Sequence, residues 1–79
     1  MMKIVFTKQA SKFIKSQEPK IIERIMKAID GLPFQGDIKS LKGEEGLKRL
    51  RVGDIRIIFR EKGDELRIIK IGYRGDVYK

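Results

Sequence analysis

Two Gly-Asp pairs, Gly53-Asp54 and Gly63-Asp64, constrain this chain most. Each interrupts a run of β-branched and aromatic residues at a spacing that suits a tight hairpin turn. From Leu41 to Tyr78 the sequence therefore reads as successive strands, broken again at Gly75-Asp76. The expected arrangement is a three-stranded antiparallel meander.

The first hairpin carries the functional detail. With Gly53 and Asp54 as a two-residue turn, Val52 faces Ile55, Arg51 faces Arg56, Leu50 faces Ile57 and Arg49 faces Ile58. Opposed residues share a face, so one face is apolar and the other carries guanidinium groups. Like charges directly opposite one another are destabilising unless water screens them or an anion lies between them. A sheet covered on one side alternates apolar and polar residues in any case. What points further is the choice of ion, because Arg49, Arg51, Arg56, Arg60 and Arg67 are all arginines. Arginine is planar, permanently charged and suited to bidentate contact with phosphate. At the second hairpin, a two-residue turn at Gly63-Asp64 would set Arg60 opposite Arg67 and Ile58 opposite Ile69. An odd-length turn would flip that parity, and both stay open.

Ahead of the meander, Lys3 to Phe6 is a short β-prone run, and Thr7 is placed to cap a helix that begins at Lys8. Ala10, Phe13 and Ile14 give that helix one apolar side. Pro19 disfavours helical geometry in the residue before it and suits the first turn of the next helix. Ile21, Ile22, Ile25, Met26, Ile29 and Leu32 then trace one stripe of a second helix, ended by Gly31 and Pro33. Phe34 to Gly46 reads as a loop. The expected fold class is α+β, a helical hairpin packed on one face of a small antiparallel sheet in β-α-α-β-β-β order, with Ile4 to Phe6 as an edge strand.

With 79 residues, the chain is expected to form a single domain spanning 1–79. A domain of this size buries only about 60–65% of the surface its unfolded chain exposes, so the core is thin. The absence of cysteine removes disulfide support and fits a reducing compartment. No apolar run approaches the ~18 residues of a membrane span, and Ile4 to Phe6 is short for a signal peptide. The expectation is a soluble, cytoplasmic protein with no membrane partner. Nineteen Lys and Arg against eleven Asp and Glu give a net charge of +8, which attracts polyanions or an acidic protein.

Histidine is absent as well, which removes imidazole acid–base chemistry and Ser-His or Cys-His nucleophiles. No metal site or cofactor is expected. One chemistry survives. RNA carries its own nucleophile, the 2′-hydroxyl, and a protein can promote cleavage by aligning it and stabilising the charge that builds at phosphorus. Arginines suffice for the charge, but a side chain that stays protonated throughout the physiological range is a poor base. Tyr78 and Lys48 are left as candidate proton acceptors, and Tyr73 and Tyr78 can stack on an unpaired base. A tyrosine that caps a small core would satisfy the sequence equally well.

Leu41-Lys42-Gly43, then Leu47-Lys48-Arg49-Leu50-Arg51-Val52-Gly53-Asp54-Ile55-Arg56-Ile57-Ile58-Phe59, and finally Ile71-Gly72-Tyr73-Arg74 through Val77-Tyr78, resemble the RelE branch of the RelE/ParE toxin superfamily. Phe6, Ala10 and Phe13 of the helical hairpin match in order, so the resemblance covers nearly the whole chain. It implies the toxin of a type II toxin–antitoxin system, a metal-independent, ribosome-dependent endoribonuclease that cuts mRNA in the A site and inhibits translation. It implies a cognate antitoxin protein as partner, with the toxin–antitoxin complex binding operator DNA through the antitoxin. Carried over by position, the resemblance implies Arg56, Arg74 and Tyr78 as catalytic residues and places the basic positions of strand two at Lys48, Arg49 and Arg51. With Lys48 the catalytic set is Arg56, Arg74, Tyr78 and Lys48, and Arg60 from the basic face and Tyr73 from stacking join Arg49 and Arg51 as the expected RNA-binding set. The chain departs from relatives at Ile55, where they often have an aromatic residue, and at Tyr73, where they often have His or Lys. Two other functions compete, a ParE-like inhibitor of DNA gyrase and a catalytically inactive RNA-binding homologue.

Overall fold

The computed structural model describes residues 3–41 and 46–75. β1 (Lys3–Phe6) leads into α1 (Lys8–Lys15), and Thr7 caps that helix as expected, its hydroxyl accepting from the Ala10 N–H at 3.3 Å. Pro19 opens α2 (Pro19–Asp30) in its first turn and Gly31 closes it. The chain continues through β2 (Asp37–Ser40), β3 (Leu47–Val52), β4 (Ile55–Lys62) and β5 (Glu65–Tyr73). Both helices pack on one face of a single sheet with strand order β1-β5-β4-β3-β2.

The α+β class, the helical hairpin and the β3-β4-β5 meander agree with the sequence reading. Two features correct it. The expected β-α-α-β-β-β order lacks one strand, because residues 37–40, read as loop, pair antiparallel with β3. Ile38 is the only apolar residue of that strand, so no alternating pattern marks it; its pairing satisfies backbone groups more than it buries side chains. The sheet is also mixed, since β1 runs parallel to β5.

Register in the first hairpin is the expected one, with Val52, Arg51, Leu50 and Arg49 opposite Ile55, Arg56, Ile57 and Ile58. Gly53 takes φ +60°, the left-handed conformation that a two-residue hairpin turn requires. The second hairpin also turns in two residues, so Arg60 does face Arg67. A β-bulge then intervenes: Phe59 pairs with Ile68 and Ile58 with Lys70, leaving Ile69 as the extra residue rather than the partner of Ile58.

The bulge is held from the helix side. The Thr7 backbone N–H donates to the Ile68 carbonyl at 3.0 Å, and its hydroxyl donates to the Ile69 carbonyl at 2.6 Å. Beyond Phe6, where β1 ends, the Gln9 side chain takes over as a surrogate strand. Its Nε2 donates to the Ile71 carbonyl at 2.9 Å and its Oε1 accepts from the Ile71 N–H at 3.0 Å. These bonds fix the angle at which α1 enters the sheet.

The core lies between the helices and one sheet face. Ala10, Ile25, Ile29, Ile57, Phe59, Ile68 and Ile71 are fully excluded from solvent. The α2 stripe buries Ile25 and Ile29, while Met26 stays partly exposed at its edge; Leu32, read with the helix, lies in the turn beyond Gly31 and is buried as well. Among the described residues no element covers the opposite face of the sheet.

Candidate nucleic-acid interface

Strand register places the side chains of the uncovered face. Because opposed residues share a face, Arg49 and Arg51 of β3 stand with Arg56, Arg60 and Lys62 of β4 and with Arg67 and Lys70 of β5. Apolar Ile57, Phe59, Ile68 and Ile71 alternate with them and point to the helices. Alternation against an apolar inner side accounts for the polarity of this face, and the choice of arginine accounts for its charge; Ile58, opposite Arg49, stands among these cations.

The two like-charged cross-strand pairs, Arg51 with Arg56 and Arg60 with Arg67, each have a carboxylate beside them. Asp37 reaches across from β2, with Oδ2 3.1 Å from Arg51 Nε and Oδ1 3.6 Å from Arg49 Nη2. Glu65 Oε2 lies 3.3 Å from Arg67 Nη2. Asp37 escaped the sequence reading because it sat in the presumed loop. Its signal was available only through the pairing of β2, which sets Asp37 opposite Arg51.

Arg56 behaves differently from the other arginines. It is 8% exposed, and its Nη1 donates to the Gly53 carbonyl at 2.8 Å and to the Ile55 carbonyl at 3.3 Å. The guanidinium is folded onto the β3–β4 turn that it follows. Gly72 lies opposite Arg56, and two residues later the Arg74 N–H donates to the Asp54 carbonyl at 2.7 Å. The Gly53-Asp54 turn therefore holds the Arg56 guanidinium and the Arg74 backbone N–H on successive carbonyls, from positions 18 residues apart in the chain. Arg24 of α2 approaches the same turn from the helix side, where a Cβ added at Gly53 would meet its Nη2 at 3.1 Å.

Two candidate residues stand apart from this face. Lys48 lies opposite Phe59 and Ser40, so its register puts it on the helix-facing side, away from Arg49, Arg51 and Arg56. The parity that makes Arg49 and Arg51 outward makes Lys48 inward. Tyr73 also belongs to the helix side. Its ring meets Phe13 edge-on at 5.6 Å between centroids, and its hydroxyl donates to Gln17 Oε1 at 2.7 Å. Tyr78 lies outside the described residues.

A recess of about 250 Å³ opens at the other end of the cationic face, lined by Arg60, Lys62, Glu65, Arg67 and Ile69. On the helix side, an apolar groove of about 220 Å³ runs between the helices, lined by Phe6, Ser11, Ile14, Lys15 and Met26. No described helix is long and apolar enough to cross a membrane.

Comparison with solved structures gives the fold a setting. The toxin chain of the RelB–RelE antitoxin–toxin complex from Methanococcus jannaschii is similar over 94% of both chains, with 29% identity and a TM-score of 0.79. The RelE–RelB complex from Pyrococcus horikoshii OT3 is similar at 26% identity and a TM-score of 0.76, covering 94% of this chain and 96% of that one. The YoeB dimer from Staphylococcus aureus shares the fold at 19% identity and a TM-score of 0.76, over 92% of this chain and 97% of the other. Among curated proteins none matches the sequence. The family model described as the ParE toxin of the type II toxin–antitoxin system, parDE, matches residues 4–78. The chain belongs to this ParE toxin family, within the RelE/ParE superfamily, and is a toxin of the type II toxin–antitoxin class with a RelE-like fold.

Proposed function

We propose that this toxin is a metal-independent endoribonuclease that cuts mRNA in the ribosomal A site and thereby stops translation in the cytoplasm. The observation that carries the reading is the anchoring of the Arg56 guanidinium and the Arg74 backbone to the one Gly53-Asp54 turn, at the end of the sheet face that carries Arg49 and Arg51. In the proposed reaction the RNA 2′-oxygen attacks the adjacent phosphorus as its proton is removed, the P–O5′ bond breaks, the 5′-oxygen takes a proton from solvent to leave as a hydroxyl, and a 2′,3′-cyclic phosphate remains on the upstream fragment. Arg49 and Arg51 hold the phosphate, while Arg56 and Arg74 stabilise the charge of the phosphorane. Arginine cannot take the 2′-hydroxyl proton. That step is assigned to Tyr78 acting as its phenolate, with alignment of the 2′-hydroxyl supplied by the ribosome.

The archaeal RelE chains similar to this one are found in complexes with RelB antitoxins. A cognate antitoxin is proposed here as well, laying an amphipathic segment on the groove of Phe6, Ile14 and Met26, its acidic residues answering the +8 charge. The complex would bind operator DNA through the antitoxin.

Arg74→Ala tests the catalytic assignment in a translating extract. Cleavage is expected to fall by about 10²-fold, the scale set by losing one charge-stabilising donor, with folding retained. Unchanged cleavage would overturn the assignment. The parDE description of the matching family favours a second reading, inhibition of DNA gyrase by protein contact. A supercoiling assay with purified gyrase separates the two.

A further inference from the structure

The recess at the β4–β5 hairpin lies away from the Gly53-Asp54 turn. Arg60 lies four residue steps beyond Arg56 on β4, a distance of ~13 Å along the strand. We infer that this recess is a subsite for one nucleotide of single-stranded RNA, a few nucleotides from the phosphate that reacts. The inference rests on the reading of this face as RNA-directed and adds a second point of attachment to it.

Three observations carry it. The walls are cationic: Arg60 faces Arg67 across the strands, and Lys62 stands on the same side, next to the Gly63-Asp64 turn. The floor is apolar because the β-bulge makes Ile69 an additional residue on this side of β5, and bulges commonly re-aim a side chain beside a binding site. The Thr7 hydroxyl clamps the Ile69 carbonyl at 2.6 Å, so the floor is fixed from α1. Third, the recess of about 250 Å³ falls below the ~300–1,000 Å³ of pockets for drug-sized ligands. It suits one phosphate together with the sugar or base attached to it.

The carboxylate in the recess sets the sign of the test. Glu65 lies 3.3 Å from Arg67 and competes with an incoming phosphate for the same guanidinium. Removing the Glu65 charge should therefore strengthen binding, and removing the Arg67 charge should weaken it. A phosphate without a base gives up the contact with Ile69.

Titrating the ¹⁵N-labelled protein with adenosine monophosphate, and separately with inorganic phosphate, provides the measurement. The nucleotide is expected to shift the amides of Arg60, Lys62, Arg67 and Ile69, and to bind more tightly than inorganic phosphate. Arg67→Gln should weaken nucleotide binding by about tenfold, the low end for a charged hydrogen bond. Glu65→Gln should tighten it, a gain that damage to the fold cannot imitate. Shifts confined to the Arg49–Arg56 end, equal affinity for the two probes, or affinity indifferent to both variants would overturn the subsite. No ribosome and no cleavage enter this titration, so a failure of the nuclease reading and a failure of the subsite are separately visible.

Discussion

Asp37 and Arg51 face one another across β2 and β3, with the carboxylate 3.1 Å from the Arg51 Nε and 3.6 Å from the Arg49 Nη2. One carboxylate thus holds two arginines proposed to grip RNA. Both partners of the shorter contact are about half exposed, so the pair contributes at most ~1 kcal/mol to stability. Under the proposed function its greater effect falls on binding, because Asp37 engages the guanidinium groups that an RNA phosphate would contact. Asp37→Asn is expected to tighten binding of a non-cleavable oligoribonucleotide and to leave stability within ~1 kcal/mol. Anisotropy titrations over a salt series would show it. Weaker binding would mean that Asp37 serves mainly to order the arginines.

Arg56 is expected to show a double loss that Arg74 does not. Its Nη1 satisfies the carbonyls of Gly53 and Ile55, so Arg56→Ala removes hydrogen bonds of the turn as well as charge. Stability should fall by ~1–3 kcal/mol, and mRNA cleavage should fall with it. Urea denaturation of the two variants side by side provides the check. Equal stability of the two variants would remove the turn-holding role of Arg56.

Lys48→Ala should leave cleavage little changed, whereas Arg49→Ala should reduce it. The two residues are neighbours in sequence, yet register sends them to opposite faces of the sheet. Single-turnover cleavage on programmed ribosomes separates them. A large loss in Lys48→Ala alone would require the strand to present its inward side to RNA.

Gln9→Ala is expected to destabilise the fold by ~1–3 kcal/mol, because the partly buried N–H and carbonyl of Ile71 lose their partner at the point where β1 has ended. Thermal and urea unfolding would show the loss. Wild-type stability would mean that water replaces the amide at no cost.

Much of this molecule was legible in the sequence, for identifiable reasons. The Gly-Asp turns fixed the hairpin register, and register fixed which arginines share a face. Thr7, Pro19 and Gly31 marked the helix boundaries because each has a local role that tertiary packing does not change. The missing strand was another matter. Asp37–Ser40 has one apolar residue and becomes a strand only because β3 offers an edge, which is long-range information. The bulge at Ile69 was equally hidden, since it depends on Thr7, 62 residues away. In the site, the outward arginines followed from parity, and the same parity places Lys48 inward. Tyr73 offered both a stacking and a packing role, and its surroundings are Phe13 and Gln17. The carboxylate partner of Arg49 and Arg51 came from the strand that went unrecognised.

Primer extension on a reporter mRNA in a reconstituted translation system, with the same RNA free of ribosomes alongside, tests the central claim most directly. The account predicts cuts in phase with codons, seen only on ribosomes and suppressed in Arg74→Ala. A folded protein that leaves the mRNA intact in both tubes but blocks supercoiling by gyrase would contradict it.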